Sequence, residues 1–200
     1  MTPQILEKLI PIKEQRFLLP GCDSWQEFKA IQALMAEVPG VRLTYLDGLI
    51  EFRTIGEPHE LIKKSISALL EVYFFEMGIE FIPVGSATRE VEEKNVSFEP
   101  DESYYISEKG NKKHPDLAVE VIIASGNIKK LAKYKRLEIP EVWFWEDNNL
   151  SLYRFREQDY EPISCSEFLP ELDVELLVRC VLMPSRLAAR TEFLKGIHRQ

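Results

Sequence analysis

Asp101, Glu120 and Lys130 are the side chains of this 200-residue chain whose types and spacing could do chemistry together. Asp101 stands in the run FEPDESYYI, Glu120 in the apolar run LAVEVIIA, and Lys130 in the basic segment KKLAKYKRL. A carboxylate inside an apolar strand is costly unless a cation, a metal or hydrogen-bond donors compensate it. Two such acids with a lysine close by are the arrangement expected for metal-assisted phosphodiester hydrolysis. The acids hold a hard divalent ion such as magnesium, and the lysine orients the attacking water or offsets charge on the phosphate. The expected ligands are Asp101, Glu120 and a main-chain carbonyl near Val121. From spacing alone the trio equally fits a buried ion-pair network without turnover, and both readings stand at this point.

The elements that must position these groups can be read from periodicity. Residues 96–106 and 114–124 read as two strands turning about Gly110. Asp101 and Glu120 lie about equally far from that turn, so antiparallel pairing sets them opposite each other. Period-two alternation gives Asp116, Ala118 and Glu120 one face and Leu117, Val119 and Val121 the other. Lys129 to Glu138 has helical composition, which predicts Lys130 and Tyr134 on one side of a helix ended by Pro140. EVWFW then returns as a strand, and Asp147 to Asn149 turns it into a hairpin.

Upstream, Ser24-Trp25-Gln26-Glu27 has the form of a capping box, with Phe28, Ile31, Leu34 and Met35 expected on the buried face of its helix. Asp47-Gly48 between two β-rich runs predicts a tight hairpin. Glu57 to Met77 reads as a long helix burying Ile62, Ile66, Leu69, Leu70 and Tyr73, and stopping at Gly78. His59 and Glu60 at its start, with Asp116 and Tyr134, are second-line candidates for the site. Downstream, FLPELDVELL reads as helix-like, and Ser185 to Ile197 as a last helix packed on the outside.

Composition bounds the partners. The chain is 45% apolar with a net charge of -8, which weighs against a nucleic-acid-binding surface spread over the whole protein. Charge is uneven, however: Lys109 to Leu137 carries eight basic side chains against Asp116 and Glu120, enough for a local basic face. Three widely spaced cysteines, Cys22, Cys165 and Cys180, form no ligand pattern and argue against a disulfide framework or zinc site, so a reducing cytoplasm is expected. No apolar run has the length of a signal-peptide core or membrane span, and no membrane partner is expected.

Several of these runs together resemble a known family. YLDGLIEF followed by His59, EPD with Asp101, PDLAVEV with Asp116 and Glu120, and KLAKYKRLEIPEVWFWE with Lys130, Tyr134 and Glu141 resemble the Uma group of endonuclease-like proteins within the PD-(D/E)xK nuclease superfamily. The resemblance spans roughly residues 24–156. It implies an α/β (α+β) restriction-endonuclease-like core, a mixed sheet flanked by helices, within one domain. Residues 1–23 would be an N-terminal extension and 157–200 a C-terminal helical tail. It further implies a magnesium-dependent nuclease, manganese substituting, with Asp101 and Glu120 as the acids and DNA rather than RNA as the substrate. A homodimer is the pairing such folds commonly use to cut both strands. In the superfamily the lysine usually stands two residues after the second acid; here that position is Ile122, and Lys130 looks like the migrated replacement. The rival the resemblance leaves is a non-cutting nucleic-acid-binding or protein-interaction module that kept the fold.

Overall fold

The computed structural model describes residues 14–123 and 130–198, so expectations for residues 1–13 and for Lys129 fall outside them. In chain order the elements are β1 (Arg16–Pro20), α1 (Trp25–Met35), β2 (Val41–Leu46), β3 (Leu49–Thr54), α2 (Glu57–Glu76), β4 (Phe81–Pro83), β5 (Arg89–Val91), β6 (Val96–Phe98), β7 (Glu102–Ile106), β8 (Leu117–Ile122), α3 (Ala132–Leu137), β9 (Glu141–Glu146), β10 (Asn149–Arg156), β11 (Asp159–Ile163), α4 (Val174–Val181) and α5 (Arg186–Ile197). They build two sheets. A five-stranded antiparallel sheet has the order β1-β3-β2-β6-β5, and a six-stranded mixed sheet the order β11-β10-β9-β8-β7-β4, with β8 and β9 parallel.

Local chemistry explains the turns. Asp47 and Gly48 have φ of 48° and 83°, the left-handed pair a tight hairpin requires between β2 and β3. Asp147 and Asn148, at 51° and 60°, do the same between β9 and β10. Ser24 caps α1 through its hydroxyl while Glu27 reaches back to the Ser24 amide, closing the capping box. Of the predicted face of α1, though, only Phe28 is buried. It stacks on Tyr45 at 4.7 Å, while Leu34 is 79% exposed, because a single sheet face beneath the helix covers one stripe.

The mixed sheet carries the core on both faces. Leu117, Val119 and Val121 join Ile66, Leu70, Tyr73, Trp143 and Trp145 under α2, α4 and α5. Ala118 and Ile122 face the other way with Phe98, Tyr134, Leu137 and Phe144. Every residue of β8 is therefore buried, as expected for a strand with a parallel neighbour and both faces covered. Glu120 shares the Ala118 and Ile122 face, the one that looks toward the antiparallel sheet.

Three expectations need correcting. Residues 96–106 are two strands, not one: β6 pairs with β2 and β7 with β8, and the chain changes sheets at Glu99-Pro100-Asp101, where proline has no N–H for a ladder. The C-terminal stretch expected as a helical tail is not all helical: among the described residues it begins with β11, paired to β10, before α4 and α5. It buries Leu169, Leu172, Leu176, Leu177, Ala189 and Phe193 in the main core, while α5 lies where the last outer helix was expected. The N-terminal extension likewise supplies β1 as an edge strand along β3.

Candidate active site

The β7–β8 register pairs Glu102 with Val119 and Ser103 with Ala118, so Asp101, one residue before β7, comes alongside Glu120. Both carboxylates are buried. The second sheet supplies what neutralises them. On β2 and β3, Arg42 and Arg53 are direct cross-strand partners, and Arg16 of β1 is in register with Arg53, so three arginines stand in a row across three strands. Like charges placed so close repel. The row is tolerable because acids face it.

Arg53 bridges the two carboxylates. Its Nη2 donates to Asp101 Oδ1 at 2.7 Å and its Nη1 to Glu120 Oε1 at 2.8 Å. Arg42 Nη1 donates to the same Asp101 Oδ1 at 2.7 Å. Asp101 Oδ2 accepts from the Val121 main-chain N–H at 2.7 Å and lies 3.0 Å from His59 Nε2. Glu120 Oε1 also accepts from Lys133 Nζ at 3.1 Å, and Glu120 Oε2 from the Tyr134 hydroxyl. Every carboxylate oxygen of the pair thus has a donor. Arg16 meets Glu14 at 3.0 Å and Glu51 at 3.8 Å.

These contacts set the protonation states. Burial pushes Asp101 toward the neutral acid, but the His59 hydrogen bond and the Arg53 charge overcome it and hold its carboxyl well below the usual range. For Glu120, burial and the nearby Asp101 charge oppose ionisation, yet Lys133, Arg53 and Tyr134 together still lower it. Burial and the Glu120 charge raise the Tyr134 phenol far above its usual value, so it stays a donor.

The candidates from the sequence divide. Asp101, Glu120, His59 and Tyr134 converge. The Val121 main chain joins them through its N–H, a donor, where a carbonyl had been expected. Glu60 sits at the rim, 4.0 Å from Arg42. Asp116 is elsewhere: it accepts from the Ile106 N–H at 2.8 Å and Lys112 at 2.7 Å, tying off the open end of the β7–β8 loop. Lys130 does not contact either acid. It pairs with Glu146, while Lys133 takes the place on Glu120. The reason is where the helix begins: α3 starts at Ala132, so Lys130 precedes it and the four-residue spacing to Tyr134 does not hold, while Lys133 and Tyr134, in its first turn, reach different oxygens of Glu120. Ile122 is buried in the apolar cluster. Arg53, Arg42 and Lys133 are the residues the sequence reading missed. The signal for Arg53 was present in LIEFRT, whose alternation puts Glu51 and Arg53 opposite Ile50 and Phe52.

Lys130 and Lys133 line, with Arg16, Thr44, Glu51, Glu120, Ile122 and Phe144, a cleft of about 20 Å³, room for a water molecule. Beyond their shared wall at Lys130 and Phe144 opens a larger cleft of about 430 Å³ bordered by Lys135, Glu146, Tyr153 and Asp159.

Such a carboxylate pair, at the point where the chain switches sheets and facing a helix that delivers lysine and tyrosine, is set in a frame that comparison identifies. Residues 25–184 match the Uma2 family, described as "Putative restriction endonuclease". The chain belongs to the Uma2 family. The match takes in β11 and α4 as well as the strands around the acids. The mixed sheet flanked by helices is the restriction-endonuclease-like fold of that family. No curated protein shows a significant match to the chain. Among the described residues no helix is long and apolar enough to cross a membrane.

Restriction-endonuclease-like enzymes generally use divalent metals, and the donor chemistry of the Uma2 chain bears on that directly. A divalent ion does not fit between Asp101 and Glu120 as they stand. The space between them holds the Arg53 guanidinium, the oxygens are already served by N–H and O–H donors, and the main chain offers an N–H. Among the described residues no group of three or more His, Cys, Asp or Glu is arranged to hold a metal.

Proposed function

We propose that this chain is a nuclease that hydrolyses phosphodiester bonds of DNA at the Asp101–Glu120 pair. One observation supports the reading above the rest. In a chain of the Uma2 family, two buried acids lie side by side at the sheet crossing, with Lys133 and Tyr134 delivered to Glu120 from α3.

Geometry and charge support the following roles. Asp101 and Glu120 are held ionised and are weak bases in this arrangement, so their part is to fix the cations around them. Lys133 is pinned by Glu120 and by the rings of Phe98 and Tyr134, at 5.2 and 5.1 Å, which gives its ammonium a defined position for offsetting charge on a phosphate in the transition state. Lys130, on the wall shared by the two clefts, is the second lysine available to the strand. Arg42, bound to Asp101 with its side chain 18% exposed, can offer a guanidinium to a phosphate oxygen. The small cleft takes the attacking water and the larger one a nucleotide flanking the scissile bond. Two copies acting together would cut both strands. Magnesium is the expected ion for this class, but it does not fit between the acids as they stand.

The test is conversion of supercoiled plasmid to nicked and linear forms, with magnesium or manganese supplied, below the unfolding temperature of every variant. Wild type should cut, and Glu120→Gln and Lys133→Ala should lose at least about a hundredfold, the scale for removing a preorganised charged group. Lys130→Ala reports whether the second lysine shares the work. Wild-type cutting no faster than Glu120→Gln would refute the proposal. A non-cutting nucleic-acid-binding module is favoured by one feature, the guanidinium filling the space between the acids, and DNA binding without any cleavage would identify it.

A further inference from the structure

Among the described residues Arg53 is the one group that hydrogen-bonds both acids, and charge holds it there. It belongs to a row of three arginines that repel one another, so its position depends on the acids opposite. Its Nη2 lies 2.9 Å from His59 Nε2, which also lies 3.0 Å from Asp101 Oδ2. A single ring nitrogen carries either a hydrogen or a lone pair. It can serve the carboxylate or the guanidinium, and the other contact is left as like facing like. His59 Nδ1 has no hydrogen-bond partner although it is buried.

We infer that Arg53 is the resident cation of the Asp101–Glu120 pair, and that Arg53 and a divalent ion exclude each other there. The inference rests on reading these acids as the pair that takes the ion, not on turnover. Both cations need the same oxygens: Arg53 uses Asp101 Oδ1 and Glu120 Oε1, which face one another across it. A site that presents its acids to an internal guanidinium is closed to metal until that side chain leaves. Ala118 and Ile122 on β8 and Phe144 on β9 put apolar surface beside the pair, and the small cleft that reaches Glu120 is lined by Arg16, Lys130 and Lys133, cations that repel an incoming metal ion. Metal affinity in this chain is therefore set by a competitor on β3 as much as by the acids.

Manganese binding to the full chain, followed by the loss of the free-ion electron paramagnetic resonance signal at neutral pH, tests this without any cleavage. Wild type should bind weakly, and Arg53→Met should bind at least tenfold more tightly, with Asp101→Asn in the Arg53→Met background abolishing the gain. Guanidinium ion at tens of millimolar should reverse manganese binding in Arg53→Met and leave wild type unchanged. If Arg53→Met is unfolded without metal, added manganese should restore its folded circular-dichroism signal. Affinities for wild type and Arg53→Met within twofold, or no manganese-dependent recovery of an unfolded variant, would overturn the inference. Failure of the nuclease reading looks different: the predicted gain in manganese affinity with no plasmid cleavage by either protein.

Discussion

Replacing Glu120 by glutamine separates two kinds of acid pair by the sign of its effect. Where carboxylates mainly repel each other, as in a site waiting for metal, removing one charge stabilises the fold. Here the carboxylate is the acceptor for Arg53 at 2.8 Å, for Lys133 at 3.1 Å and for the Tyr134 hydroxyl, and is buried. Breaking a buried charged pair by removing one partner costs about 3–5 kcal/mol. The amide oxygen keeps one acceptor and Arg53 keeps Asp101, which reduces the expected loss to about 2–4 kcal/mol. At roughly 2–4 °C per kcal/mol for a chain of this size, the melting temperature should fall by about 4–16 °C. Urea unfolding followed by circular dichroism, with calorimetry beside it, measures both. A Glu120→Gln protein as stable as wild type, or more stable, would refute the reasoning, because the donors around Glu120 would then be compensating nothing.

Two further outcomes follow from particular residues. Asp101 and Glu120 are both held ionised below their unfolded values, so the stability they contribute is present above about pH 4 and lost as pH falls through their folded values. Acid unfolding should therefore be less steep in Asp101→Asn than in wild type below that pH, and parallel pH curves would count against the assignment. On α1, Phe28→Ala should cost about 3–5 kcal/mol while Leu34→Ala should stay within roughly 0.5 kcal/mol, since one is enclosed against Tyr45 and the other is exposed. Equal losses in denaturant titrations would mean that α1 is rotated from the position described.

Much of this fold was legible because it is written in short-range chemistry. The capping box of α1, the Asp47-Gly48 turn, the α2 stripe with Gly78 at its end, and the pairing of Asp101 with Glu120 about the 107–116 loop all depend on residues close in sequence or on a strict period of two. Glu120 announced itself as a charge among apolar residues. What period and composition could not convey was which sheet each strand would join. Val96 to Ile106 alternates like one strand, and only packing decides that Pro100 hands the chain from one sheet to the other.

The partners of the acids were hidden for the same reason. Lys130 and Lys133 are equally basic in sequence, and the start of α3 at Ala132 decides that Lys133 and Tyr134 reach Glu120 while Lys130 turns to Glu146. Arg53 lies 48 residues from Asp101 and 67 from Glu120, so its bridge exists only once the antiparallel sheet has folded over the mixed one. By itself the sequence determined that two acids would be buried together and would need positive charge. Which cation answers that need depends on distances across two sheets, a property of the tertiary structure alone.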